Sequence, residues 1–165
     1  MKRYIFLLLV TSSFLACNQK HKNRRHADKF YTEKSDWDVV RIPLIKPYEA
    51  LNLSSDQDWS VQLADMADTS AELISVPGTK HINVIDSVIL IHSKKTILDG
   101  EWINEAWFVF IPKHQIFRGF KTHREYLNYA SSIKIKDPKL YDANEIMQYF
   151  DKKDTVNWQE INRLY

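Results

Sequence analysis

One cysteine and three glycines are all that this 165-residue chain contains of either type. A single thiol, Cys17, can neither close an intramolecular disulfide nor build a thiolate metal site. So few glycines leave no phosphate-cradling loop, and neither a Gly-x-Ser-x-Gly elbow nor a His-Glu-x-x-His pair occurs. Lys and Arg are missing altogether from residues 48–78, where Glu49, Asp56, Asp58, Asp65, Asp68 and Glu72 are found. Long apolar runs are missing after the first turns of chain. What is present is 44% hydrophobic and 13% aromatic residues, enough for one domain with a packed core.

The apolar run lies at the start. Lys2 and Arg3 precede a hydrophobic stretch from Tyr4 to Val10, which continues weakly to Phe14 and ends in Leu15-Ala16-Cys17. It is too short for a stable membrane span and fits a secretory signal. The small Ala16 directly before the only cysteine resembles the lipobox of bacterial lipoproteins, with Phe14 where that family usually has Leu. The resemblance implies that residues 1–16 are a signal peptide, that the Cys17 thiol takes a diacylglycerol, and that the new amino group is acylated. Two or three acyl chains anchor stably where one binds only marginally. A cysteine nucleophile is then excluded as well.

Residues 18–29 carry five bases against one acid, Asp28, and show no apolar period. They read as a solvated tether beside anionic headgroups, which places residues 17–29 outside the fold and 30–165 in a single globular domain. From residue 30 onward there are 16 bases and 20 acids, a poor surface for nucleic acid. Asn18 is not the Asp that resembles an inner-membrane retention signal. No acidic run follows Cys17 to resemble a surface-export signal. The expectation is a periplasm-facing protein on the outer membrane.

In the body, residues 37–42 alternate as a strand ended by Pro43. Residues 48–53 and 59–63 form a hairpin around the turn chemistry of 54–58. Residues 65–73 are a short helix or an excursion, and Pro77-Gly78 is a turn. Residues 82–92 read as one strand, apolar on both faces at 88–91. Residues 94–104 are polar, with a turn at Asp99-Gly100. Residues 107–111 are the central strand, turned at 112–114 onto a partner at 115–120. Thr122 and Glu125 fit a capping box. Tyr126, Tyr129, Ala130 and Ile133 follow on one helical face. Asp142 caps a second helix with the stripe Ala143, Ile146, Met147 and Phe150. Trp158 and Tyr165 are expected to dock back. The economical fold is α+β: an antiparallel sheet of about five to seven strands with two C-terminal helices packed on one face.

Four histidines, His81, His92, His114 and His123, show no metal-ligand spacing and read as surface or strand-end residues. Neither a cofactor nor a metal is expected. Asp56-Gln57-Asp58 lacks the remaining ligands of a calcium loop and reads as a turn. In the loop 99–105, Asp99, Glu101 and Glu105 surround Trp102. Paired carboxylates beside an indole suit a glycosidase, whose acid and base face each other across a sugar. The same group suits a sugar platform or a partner contact. The plainest reading is a polar loop whose Trp packs on the sheet edge. Asp56, Asp58, Asp65 and Asp68 outline an acidic face, against seven bases in residues 113–139. Such a layout steers charged partners. The expected function is therefore a lipid-anchored envelope protein, held by membrane lipid through Cys17, with a non-catalytic protein-binding domain. An immunity-type or an envelope-assembly role would fit. The alternative is a carbohydrate- or small-ligand-binding module, and a hydrolase comes last.

Overall fold

The computed structural model describes residues 28–34, 39–53, 58–63 and 74–164. Cys17, the expected signal peptide, the expected tether up to residue 27, Trp37, Asp56, Asp65, Asp68 and Tyr165 lie outside the described residues.

Among the described residues, seven strands form one antiparallel meander in chain order. They are β1 (Val40–Ile45), β2 (Tyr48–Asn52), β3 (Trp59–Gln62), β4 (Ser75–Ile85), β5 (Val88–Leu98), β6 (Glu101–Ile111) and β7 (Ile116–Phe120). A two-residue strand, β8 (Tyr141–Asp142), pairs with β4 at His81 and Ile82, beyond the stretch that β3 covers. The helices are α1 (His123–Ser132), α2 (Ala143–Lys153) and α3 (Trp158–Leu164). None of these helices is long and apolar enough to cross a membrane. The α+β architecture follows from the sequence as expected.

The sheet curls. Tyr48 of β2 packs edge-on against Phe110 of β6, with ring centroids 4.9 Å apart. On a flat sheet, strands four places apart would be separated by roughly 19 Å. The enclosed face carries the larger core, in which α2 and α3 seat Ile146, Phe150, Trp158 and Ile161 against Ile82, Ile89, Ile91, Phe108 and Phe110. The outer face carries a second core, where Tyr126 and Ala130 of α1 cover Val88, Leu90 and Val109. Helices thus cover both faces. The two helices expected on one face, α1 and α2, lie on opposite faces: α2, joined by α3, packs on the enclosed face, and α1 covers the outer one. The doubly apolar run 88–91 requires this, since its alternate side chains feed both cores.

Both expected caps are present. The Thr122 hydroxyl accepts from the Glu125 N–H, and the Glu125 carboxylate accepts from the Thr122 N–H. The Asp142 carboxylate accepts from Asn144 and Glu145. Trp158 docks as expected and donates its indole N–H to the Pro43 carbonyl at 3.0 Å.

Four expectations are corrected. Residues 82–92 are not one strand: Asp86 and Ser87 both take positive φ (48° and 66°) and make a tight two-residue turn between β4 and β5. Pro77-Gly78 is not a turn but lies inside β4, at an irregularity in its pairing with β3. Residues 99–105 are not a loop beyond the expected Asp99-Gly100 turn, and the polar residues 94–104 are strand on either side of it. Strands β5 and β6 continue through them in one register to the two-residue turn Asp99-Gly100. The expected tether ends earlier, because Asp28 caps a 3-10 turn over Lys29–Tyr31 and pairs with Lys46 at 3.0 Å. The Arg41 guanidinium donates to the carbonyls of Phe30 and Glu33 and pairs with Glu49, pinning this segment to β1.

A candidate binding groove at the tip of the long hairpin

The β5–β6 hairpin changes hand half-way. Ala106, Phe108 and Phe110 face the enclosed core, as their even spacing requires, yet so does Ile103. On the partner strand, Ile89 and Ile91 share that core with Leu98. Residues an odd number apart face one side only if the strand switches faces between them. Lys95 carries the switch with φ 51°, and the cross-strand register is unchanged on either side of it. As a result Ile97 and Trp102, paired across the hairpin, both turn to the outer face. Trp102 is 71% exposed.

Beside Trp102 lies a groove of about 490 Å³, walled by Lys94 and Lys95 of β5, Gly78 and Lys80 of β4, and Asp58 and Ser60 before and within β3. Gly78 sets its floor. Its φ is +65°, and a Cβ there would run into the Lys94 carbonyl oxygen, so β4 approaches β5 this closely only with glycine. Lys80 pairs with Asp58 at 2.8 Å across the groove. Lys94 and Lys95 form no ion pair with any described residue, which leaves two ammonium groups beside an exposed indole.

The carboxylates read from the sequence do not gather around Trp102. Asp99 occupies the turn with φ 53°. Glu101 points to the side opposite Trp102, since Ile103 and Leu98 fix the inward side there. Glu105 lies on the outer face but is taken up by His92, with Oε1 to Nε2 at 2.8 Å. Glu101 and Glu105 are four strand positions apart, roughly 13 Å along the backbone, and do not face each other across a common space. Of the acidic face, only Asp58 lies among the described residues, and it is neutralised by Lys80.

The pairing produces a histidine cluster that spacing alone did not reveal. His81 on β4 stands opposite His92 on β5, with Nδ1 to Nδ1 at 2.9 Å. One ring must donate and the other accept. With His81 donating, His92 keeps its Nε2 proton for Glu105, and all three groups are satisfied. The His92 ring also stacks on Trp107, which leans on His123 and through it towards Tyr126. Burial is the main cause that lowers the His92 pKa from its ordinary value; the Glu105 hydrogen bond opposes it, and His81 and Lys94 add to the lowering. Only 8% exposed, His92 ties three strands together rather than meeting a substrate. Among the described residues no group of three or more His, Cys, Asp or Glu is arranged to hold a metal ion. His114, in the 3-10 turn before β7, and His123 stand apart from the pair.

A larger cleft of about 1090 Å³ opens at the other end of the molecule, between Asp28, the Asp86-Ser87 turn and α3. Two of its polar side chains hold the fold: Asn83 donates to the Lys139 carbonyl and Asn162 to that of Val84. Compared with family models, curated proteins and solved structures, the chain matches none of them.

Proposed function

We propose that this protein is a lipid-anchored, non-catalytic binding domain of a bacterial cell envelope, and that it takes a sugar-like ligand in the groove beside Trp102. The exposed indole carries the reading. A ring 71% exposed on a two-strand scaffold, next to a polar groove, is a flat apolar surface with polar groups at its edge. A saccharide presents the matching pattern, a C–H face for the indole and hydroxyls for the walls. The lipobox resemblance at Cys17 supports the anchoring. An outer-membrane, periplasm-facing location follows from the residues after it. The ion pair between Asp58 and Lys80 weakens the alternative of an acidic protein-binding face.

Two measurements test the proposal. Metabolic labelling with palmitate should mark the wild type and not Cys17→Ser; label persisting in the variant would remove the anchor. Titration with a set of neutral and acidic oligosaccharides, followed by tryptophan emission and calorimetry, should show binding that Trp102→Ala abolishes and Trp102→Phe partly keeps. A variant lacking the indole that still binds would place the ligand elsewhere.

A further inference from the structure

We infer that the ligand of the Trp102 groove is an acidic saccharide, a sugar bearing a carboxylate or phosphate; this rests on the binding reading above and names its ligand class. The groove has two poles. Asp58 and Lys80 close one end as a pair at 2.8 Å, so that end presents a nearly neutral, hydrogen-bonding surface suited to hydroxyls. Lys94 and Lys95 stand at the other end beside Trp102 without a carboxylate partner among the described residues. Lys94 does stand directly across from Glu105, but that carboxylate is held by His92. A ligand that stacks one face on the indole therefore brings its substituents within reach of two ammonium groups that form no ion pair with a described residue. An anionic substituent is what those groups select.

The backbone keeps the lysines there. Lys95 holds the left-handed conformation that turns the hairpin over, and Gly78 brings β4 against the Lys94 carbonyl. The two positions are consequences of the strand switch, not of a mobile tip.

Two other partners fit the basic, aromatic character less well. A membrane surface would be met first by the tip of the hairpin. That tip carries Asp99 and Glu101, both exposed, which anionic headgroups repel. A single-stranded nucleic acid, which also pairs stacking with positive charge, would run its next phosphate onto the Asp58–Lys80 end, which offers it no net positive charge.

The test uses the full-length protein in detergent micelles, with four probes at low and moderate salt: a short oligogalacturonate, its neutral methyl ester, glucose 1-phosphate and a hexathymidylate. The expected result is binding of the acidic sugars, weakening with salt, and much weaker binding of the ester. Oligogalacturonate against glucose 1-phosphate tells whether carboxylate or phosphate is preferred. The double variant Lys94→Gln, Lys95→Asn should lower affinity for the acidic sugars by about tenfold, as the loss of two exposed charge contacts implies, and affect the ester much less. Asn is chosen at position 95 because it tolerates the left-handed backbone. Equal binding of the ester and the acid would overturn the inference while leaving a sugar site intact. Tighter binding of the hexathymidylate would overturn it in favour of nucleic acid. Binding of none of the probes would overturn both the inference and the sugar reading. Unchanged acidic-sugar affinity in a folded double variant would show that these lysines are not the determinant.

Discussion

The two halves of the β5–β6 hairpin share one register and one pair of strands, yet they do opposite things. In the half near β4's turn, Val88 to Ser93 are all buried, and Phe108, Val109 and Phe110 face them or their neighbours. In the half near Asp99-Gly100, Lys94, Lys95, Ile97 and Trp102 are exposed, and only Thr96 and Leu98 of β5 remain buried. The first half is covered by helices on both faces, so its apolar side chains feed a core on each side. The second half extends past the helices and keeps one covered face. A strand with one free face can carry an exposed aromatic at little cost to stability, because removing it uncovers nothing.

That contrast can be broken in order of expected effect. Phe108→Ala, in the covered half and 1% exposed, should lower unfolding free energy by about 3–5 kcal/mol in a denaturant titration. Trp102→Ala, six residues earlier on the same strand, should stay within about 0.5 kcal/mol of wild type. If the two variants lose similar stability, the free half is not free. Gly78→Ala should come next, at roughly 1–3 kcal/mol, because alanine must hold a positive φ while its methyl meets the Lys94 carbonyl. Its loss should be local as well, with the Lys94 and Lys95 amide resonances moving while those of α2 stay in place.

Acid should act at the junction of the halves. His92 has a folded pKa below its ordinary value, so the unfolded chain takes up the proton first. The stability contributed by neutral His92 is complete above about 6.5 and is lost as pH falls from there through the folded value. Thermal midpoints should fall between pH 7.5 and pH 5, and His92→Gln should flatten the slope in that window. A slope unchanged in the variant would assign the effect to another group. The smallest effect is expected at Tyr126, whose buried hydroxyl has no hydrogen-bond partner among the described residues and whose phenol burial drives well above its ordinary pKa. Tyr126→Phe should leave stability unchanged or raise it by a few tenths of a kcal/mol, since no bond is lost and a desolvated polar group is removed.

How much of this was legible in the sequence depends on the kind of signal. The helix starts at Thr122 and Asp142 were readable because a cap is a local bond between residues two or three apart. The Asp99-Gly100 turn was readable because glycine announces a positive φ. Asp86-Ser87 takes the same kind of turn without glycine, so the strand on either side appeared continuous. That one omission hid the histidine pair: counting outward from a turn between Ile85 and Val88 places His81 opposite His92. Pro77-Gly78 misled in the other direction, since its glycine serves a close strand approach rather than a reversal. Residues 99–105 looked like a loop because polarity on an uncovered face resembles polarity in a turn. Trp102 was legible as a candidate. Its lysine neighbours were not, because Lys80 reaches the groove through pairing between β4 and β5, and Lys94 and Lys95 through a backbone switch.

The position of Asp28 sets a standoff. It lines the same cleft as Asp86 and Ser87, at the end of β5 opposite the Asp99-Gly100 turn. The eleven residues of β5 span roughly 35 Å at about 3.3 Å per residue. With Cys17 acylated as proposed, residues 18–27 add a leash of at most about 35 Å. On that proposal the groove is the part of the domain farthest from the anchor, at most roughly 70 Å from the lipid surface. A spin label at Ile97 should accordingly show less relaxation from lipid-borne paramagnetic probes than one placed at Lys46.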